Sequence, residues 1–394
     1  MRQFKARKRT WTPAFLGGAT LVGASLAGCV GTSTGVPEGA MPGQGNQTVI
    51  RFDEVVAGST HGCALVNGGR AVCWGMGGDV GDGTQIERAT PVRVQGPQTF
   101  AMLDLDSYTC GVTTNQRAWC WGTNTESRLG DGTAEYRGLP TSVLTNVQFT
   151  RITTGAIHTC AISTDREMYC WGSNRFNQLG VRPDTLSLVP VRVAVGRTFA
   201  TVDAGGLHTC GIADTGDTYC WGADYGANLV RIDGSVRFVS LTLGGQHACG
   251  LTSAGEAFCF GSNTEGQLGD GTFVSSPLTG PPVPVQTDLR FVGLSAGEFH
   301  TCGVTAEGAA WCWGRDDLGQ LGDGDPPPGA APDPSRKPLP TKVLTQNTFM
   351  RFATISSGRF ISCSTTPDRR AFCWGFGTGS ASKAFSTRPV ELGS

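Results

Sequence analysis

The chain has 394 residues, with 58 glycines, 15 cysteines and only 16% charged residues. Long runs of Ala, Leu, Glu and Lys are absent, so composition favours many short strands joined by tight turns over helices. A formal charge of −1 at pH 7 excludes the strongly basic balance that phosphate-neutralising proteins need.

At the N-terminus, Arg2, Lys5, Arg7, Lys8 and Arg9 precede the apolar segment AFLGGATLVGASLAG and then Cys29. That segment is short for a membrane span but suits the apolar core of a secretory signal. Leu26-Ala27-Gly28-Cys29 is similar to the lipobox of bacterial lipoproteins, whose signal is cut before a cysteine that becomes acylated. The resemblance implies a signal over residues 1–28 and lipidation of Cys29. Removing that signal takes away five cations and no anions, which moves the formal charge from −1 to −6. Nucleic acid is therefore not an expected partner, and the membrane is met only through the lipid.

Residues 29–48 have no apolar period and are rich in Gly, Pro, Thr and Gln, which predicts a flexible tether. Fully stretched at about 3.5 Å per residue, it would reach roughly 65 Å. Gly31-Thr32-Ser33-Thr34-Gly35 has the residue pattern of a hydrolase nucleophile elbow. A low-complexity spacer cannot give the strand-turn-helix setting that motif needs.

From residue 49 to 394 the chain repeats itself. Apart from Cys29, the cysteines fall into pairs ten positions apart. Cys63 pairs with Cys73, Cys110 with Cys120, Cys160 with Cys170 and Cys210 with Cys220. Cys249 then pairs with Cys259, Cys302 with Cys312 and Cys363 with Cys373. A phenylalanine precedes each first cysteine by ten or eleven residues, and all but one pair end in Cys-Trp-Gly. Pro91, Pro140, Pro190, Pro282, Pro340 and Pro389 open Pro-x-x-Val or Pro-x-x-Leu segments, each taken as the start of an outer edge strand.

Centring a turn on Gly68 makes Cys63 face Cys73, Ala64 face Val72 and Leu65 face Ala71. Glycine stands where a three-residue hairpin loop needs a left-handed residue at Gly69, Gly216, Gly255 and Gly308. The residue after the first cysteine is always small and its partner across the hairpin is mostly aromatic, as in Gly111 against Trp119 and Gly303 against Trp311. We read this as small against large across the rung. Both hairpin faces are apolar, so both must be covered. The predicted fold is an all-β, seven-bladed β-propeller of about fifty-residue repeats, with one cross-strand disulfide per blade.

Several residues invite a site. His61, His158, His208, His247 and His300 share one repeat position, three residues after a glycine. Their spacing to the cysteines is not that of a zinc site, so they are assigned to capping the turn before the strand, with Trp171 packing on the next blade. The loop Gly-Gln-Leu-Gly-Asp-Gly-Thr from Gly266 to Thr272 lacks the oxygen ligands of a calcium loop and reads as a tight turn with a hydrogen-bonding aspartate. No metal, cofactor or catalytic residue is expected. The fourth repeat is the shortest, and the sixth carries an insertion from Asp325 to Pro340.

The unit from Phe149 to Val193, with its Phe-x-x-Ile-x-x-Gly-x-x-His-Thr-Cys opening and Tyr-Cys-Trp-Gly-Ser-Asn centre, resembles the regulator of chromosome condensation repeat. The resemblance spans residues 50–394. It implies a seven-bladed propeller, and a secreted member that inhibits an enzyme by binding it implies a protein-binding role. The founding nuclear activity does not suit an exported chain. The expectation is a monomeric, non-catalytic binding scaffold lipid-anchored at the bacterial cell envelope, in the outer membrane or on the cell surface, with another envelope or extracellular protein as partner. The alternatives are an envelope enzyme with a site at the propeller channel and a purely structural envelope component.

Overall fold

The computed structural model describes residues 50–76, 78–181, 185–193, 196–277, 279–324, 335–347, 349–377 and 385–392. The expected signal, Cys29 and the tether lie outside these residues, as do positions 325–334 of the insertion. Its remaining residues run into the strand Arg336–Lys342.

β1 (Phe52–Ala57), β2 (His61–Val66), β3 (Arg70–Gly75) and β4 (Arg88–Arg93) form one antiparallel sheet in sequence order. Six further sheets repeat that order over residues 100–142, 149–193, 199–231, 240–284, 291–342 and 356–391. The body is an all-β, seven-bladed propeller. Every residue of β2 is buried, as befits a strand covered on both faces.

The hairpin register holds: Cys63 faces Cys73, Ala64 faces Val72 and Leu65 faces Ala71. In each blade the facing cysteines form a disulfide. Cys63 is bonded to Cys73, Cys110 to Cys120, Cys160 to Cys170 and Cys210 to Cys220. The last three blades join Cys249 to Cys259, Cys302 to Cys312 and Cys363 to Cys373. All fourteen are fully buried.

The left-handed turn position is occupied in all seven blades, by Gly69, Gln116, Arg166, Gly216, Gly255, Gly308 and Arg369. That position has a second role. The carbonyls of Gly69, Gln116, Arg166, Gly255, Gly308 and Arg369 accept the backbone N–H of the next blade's phenylalanine at 2.7–2.9 Å. The backbone at the phenylalanine position therefore ties six of the seven blades to their predecessors.

Three local readings need correction. The small residue beside the first cysteine is not small because of the aromatic residue facing it. A Cβ on Gly250 or Gly303 would stand 2.4 or 2.6 Å from the ring of Phe238 or Phe291 in the same blade, ahead of or within its first strand. Five of the outer strands do not begin at their prolines, whereas the strand Val283–Pro284 starts directly after Pro282. Pro91 lies inside β4, where pairing to β3 shifts between Cys73 and Gly75, and a residue without an N–H is tolerated at such a bulge. Finally, Trp171 packs on the preceding blade, against Tyr108 and Leu129, beside Phe149 of its own blade.

Among the described residues, no strand is exchanged to close the ring. The seventh sheet is complete in itself, and it meets the first through Phe52, Trp74, Ile361 and Leu392. The closing seam carries the same backbone bond as the others, from Phe52 N–H to the Arg369 carbonyl at 2.8 Å.

Candidate functional site

The first strands surround the axis, and their corners with the second strands shape a cavity of about 560 Å³. The glycine three residues before each histidine brings neighbouring blades into contact there. A Cβ on Gly155, Gly205, Gly244, Gly297 or Gly358 would lie 2.1–2.5 Å from the carbonyl oxygen of the next blade's glycine. Backbone N–H groups of Ala156, Gly206, Gly245, Glu298, Arg359 and Ser59 donate to the following blade at 2.8–3.3 Å. Between blades two and three, where Leu105 replaces glycine, the Arg128 guanidinium bridges instead, donating to Ser107 Oγ at 2.8 Å and to the Ala156 carbonyl.

A second ring lies below it. The inner edges of the first strands need acceptors for their N–H groups, and side chains of the preceding blade supply them. Glu54 accepts from Leu103, Asp104 from Thr154, Thr153 from Ala204 and Asp203 from Leu243, at 3.4, 2.5, 3.2 and 2.7 Å. Thr242 accepts from Ala296, Ser295 from Ser357 and Ser356 from Ala57, at 2.8, 2.8 and 3.0 Å. All seven junctions are spanned. Burial holds the Glu54 and Asp104 carboxyls up at about 7 and Asp203 at about 6. Sequence reasoning does not find this ring. Its only signal is a recurrent Ser, Thr or Asp two residues before the glycine.

The histidines form a third ring and are not turn caps. Nε2 of His61, His158, His247 and His300 meets the hydroxyl of Thr109, Thr209, Thr301 or Ser362 in the next blade at 2.6–2.9 Å. The last three hydroxyls donate to the carbonyls of Gln178, Gln267 and Gln320. Each must therefore accept from the histidine, which fixes the neutral Nε2–H tautomer at those sites. Tyr108 makes the equivalent bridge, donating to the His158 carbonyl at 2.7 Å. His208 finds Ala248 in place of a hydroxyl and its Nε2 has no partner. Burial pushes His61 and His208 down to about 4, and it is the main cause of values near 3 in His158, His247 and His300.

At the mouth, the residue after the glycine position (Leu105 in blade two) is Ser59, Asp106, Ala156, Glu298 or Arg359 in five blades and glycine, Gly206 and Gly245, in blades four and five. Burial raises the Asp106 and Glu298 carboxyls, and Arg359 pairs with Glu298 at 2.5 Å while lying over Phe360. Among the described residues, no cluster of three or more His, Cys, Asp or Glu could hold a metal ion.

The Gly-Asp-Gly-Thr loops are turns. Asp82, Asp131 and Asp270 each accept from the backbone and hydroxyl of a threonine two residues on, and Arg88 and Arg137 pair with the first two. Upstream, Asn124, Asn174 and Asn263 accept the N–H of Leu129, Leu179 and Leu268. In blade six, Asp316 takes that role towards Leu321. Burial, with Asp323 nearby, pushes its carboxyl well above the carboxylate range. Such a group stabilises the fold at low pH, and the contribution is lost as pH rises through the folded value. Asp316→Asn keeps the acceptor and removes the buried charge. It should therefore raise stability by about 1–2 kcal/mol at pH 8 and by less at pH 5, as read from urea unfolding.

A family model described as the regulator of chromosome condensation (RCC1) repeat matches residues 115–162, 165–212, 254–304 and 307–364. A second model of that description matches 149–178, 238–267 and 291–320, and together the ranges cover more than half of the chain. The human regulator of chromosome condensation is 31% identical over 106 residues, 26% of this chain and 23% of that protein. The ultraviolet-B receptor UVR8 of Arabidopsis thaliana is 29% identical over 113 residues, 28% of this chain and 23% of that protein. Human E3 ubiquitin-protein ligase HERC2 is 30% identical over 95 residues, which are 22% of this chain and 2% of that protein. The matched stretches thus span less than a quarter of each of these relatives. Among solved structures, yeast RCC1 (Prp20) bound to Kap60 has a TM-score of 0.70 at 18% identity, over 88% of this chain and 84% of that one. Human WBSCR16 has a TM-score of 0.67 at 19% identity, over 79% and 85%.

Proposed function

We propose, from the premise that this chain belongs to the regulator of chromosome condensation (RCC1) repeat family, that it is a protein-binding scaffold tethered at a bacterial cell envelope through lipidated Cys29. The observation that carries this reading is a contrast between two sets of residues at the axis. Glycines, hydroxyls and histidines repeat from blade to blade and tie the ring together, whereas the mouth residues beside them differ in five of the seven blades. A fixed frame presenting unlike side chains suits selective recognition without large ordering costs.

Propellers of this fold in other organisms support the role class. One solved structure is described with the binding properties of Prp20p to Gsp1p and histones, and another holds yeast RCC1 with Kap60. The envelope location rests on the basic start, the apolar run and Leu26-Ala27-Gly28-Cys29. Against a hydrolytic site in the channel stands the use of Asp104 and Asp203 as acceptors for neighbouring backbone and threonine groups.

Two measurements test the proposal. Fatty-acid labelling should mark the wild-type chain and not Cys29→Ser, which should move from the membrane to the soluble fraction. Labelling that survives the substitution refutes the anchor. The oxidised body should capture one stoichiometric partner from envelope extract, and Glu298→Lys at the mouth should weaken that capture at least tenfold. Capture indifferent to Glu298 and its neighbours would refute the mouth as the recognition surface.

A further inference from the structure

At the turn end of a blade, the third strand and the outer strand place two side chains diagonally across one face of the sheet. In blade three these are Glu167 and Arg192, in blade four Asp217 and Arg231, and in blade seven Arg370 and Glu391. The register sets them there, because Arg192, Arg231 and Glu391 stand opposite Tyr169, Tyr219 and Phe372, each two residues beyond the first member of the pair. Long side chains reach one another across such a diagonal. All three are ion pairs, with Asp217 and Arg231 2.8 Å apart.

Blade one breaks the rule. Arg93 stands opposite Val72, so the matching pair is Arg70 and Arg93, two exposed cations. The carboxylates nearest along the chain are engaged elsewhere, Asp53 by Arg369 and the Gly68 N–H, and Glu54 by the Leu103 N–H. Every Asp or Glu from residue 55 to residue 164 lies in the loop after a third strand, at the mouth or in the acceptor ring. Blades one and two therefore supply no free acid to Arg70, Arg93 or Arg117 at their turn ends. Arg70 and Arg93 wall a cleft of about 180 Å³, in which Gln95, Gln98 and Thr99 add further hydrogen-bonding groups.

We propose that this cleft binds a carboxylate from an acidic segment of a partner protein, held between the Arg70 and Arg93 guanidiniums. The occupant's chemistry is read from blades three, four and seven, where the chain supplies that carboxylate itself. Like charges repel where opposite charges would pair, and an oxyanion shared by two guanidiniums replaces the repulsion with charge-assisted hydrogen bonds. β1 runs from the turn end, where Phe52 faces Val66, to the mouth at Ala57. The cleft is thus a second recognition point at the other end of the blade from the mouth, and the proposal rests on the scaffold reading.

The test uses the full oxidised chain with an acidic peptide, acetyl-Gly-Asp-Glu-Asp-Gly-amide, and its neutral Asn/Gln counterpart. Exposed ion pairs are weak, so millimolar affinity is expected. In nitrogen-15 spectra the Nε–H signals of Arg70 and Arg93, assigned with Arg70→Gln and Arg93→Gln, should shift saturably with the acidic peptide alone. Each of these substitutions should weaken binding at least fivefold. Arg93→Glu rebuilds with Arg70 the pairing of blade seven, so it should abolish binding without lowering the melting temperature. No saturable shift at tens of millimolar peptide, equal shifts with the neutral peptide, or binding that survives Arg93→Glu overturns the site. Binding seen only in Glu38→Gln overturns it too, since the chain's own Glu38, outside the described residues, would then be the occupant. Phosphatidylglycerol vesicles that shift these signals when the acidic peptide does not would assign the arginines to a lipid surface and overturn the protein partner. A partner captured equally from envelope extract by wild type and Arg93→Glu overturns the cleft as a partner contact and leaves the scaffold reading standing. Peptide binding that meets every expectation, with no partner captured, supports the cleft and counts against the scaffold reading alone.

Discussion

Replacing Gly297 by alanine should destabilise the body by about 3 kcal/mol or more, enough to prevent accumulation of folded protein. The added Cβ would stand 2.2 Å from the Gly358 carbonyl oxygen and 2.5 Å from Cε1 of His300. Neither obstacle can retreat. The carbonyl belongs to the next blade and accepts the Glu298 N–H, and the histidine ring is fully buried and bonded to Ser362. Moving either one shifts a junction that its neighbours on both sides hold in place. Gly293 in the same blade is the control, since a Cβ there meets only Val304 Cγ1 at 3.5 Å, an ordinary contact. Gly293→Ala should melt within a few degrees of wild type. Equal melting temperatures for the two variants would refute a close-packed glycine ring.

The pH dependence should be equally pronounced. The five histidines ordinarily titrate near 6.5, and in the folded body they are held at about 3–4. Below 6.5 the unfolded chain binds protons that the folded chain refuses, so stability falls with pH by roughly 1.4 kcal/mol per unit for each histidine. The buried carboxylates act oppositely. Glu54 and Asp104 at about 7, and Asp79 and Asp203 at about 6, favour the folded state at low pH and lose that contribution as pH rises. The two groups oppose one another between about pH 4.5 and 6.5 and should give a plateau there. Above it the carboxylates alone cause a shallow decline. Below it the unfolded carboxylates are protonated too, and the histidines alone drive a steep fall, His61 and His208 down to about pH 4 and the other three down to about pH 3, together removing roughly 8 kcal/mol, comparable with a typical stability of about 5–15 kcal/mol. Urea unfolding across pH 3–8 reads the curve. Stability that climbs steadily from pH 5 to 8 would show that the carboxylates are not held as described.

What the sequence discloses and what it hides follow the same division. Within a blade, residues that touch are close along the chain, so the ten-residue cysteine spacing, the turn glycines and the alternation of sizes determine the hairpin register. Between blades, residues that touch are about fifty positions apart, and a single repeat says nothing about which atoms face each other. For this reason sequence reasoning assigns His158 to its own turn, whereas its partner is Thr209, and it sends Trp171 to the wrong neighbour. The acceptor ring is hidden further because blades one and two depart from the pattern. Val56 and Leu103 occupy the position used elsewhere, and Glu54 and Asp104 serve from displaced ones.

Each disulfide joins cysteines ten positions apart on one hairpin, from Cys63 and Cys73 to Cys363 and Cys373, and no strand crosses from one blade to another. For oxidation, this means that the closest reactive partner along the chain is always the correct one. Short-loop closure is entropically favoured over the many longer pairings that fourteen cysteines would otherwise allow. In an oxidising compartment, the bonds could be made in order as the chain enters it, each before the next pair arrives. Such a protein should mature without an isomerase to rearrange mispaired cysteines, needing only a donor of oxidising equivalents.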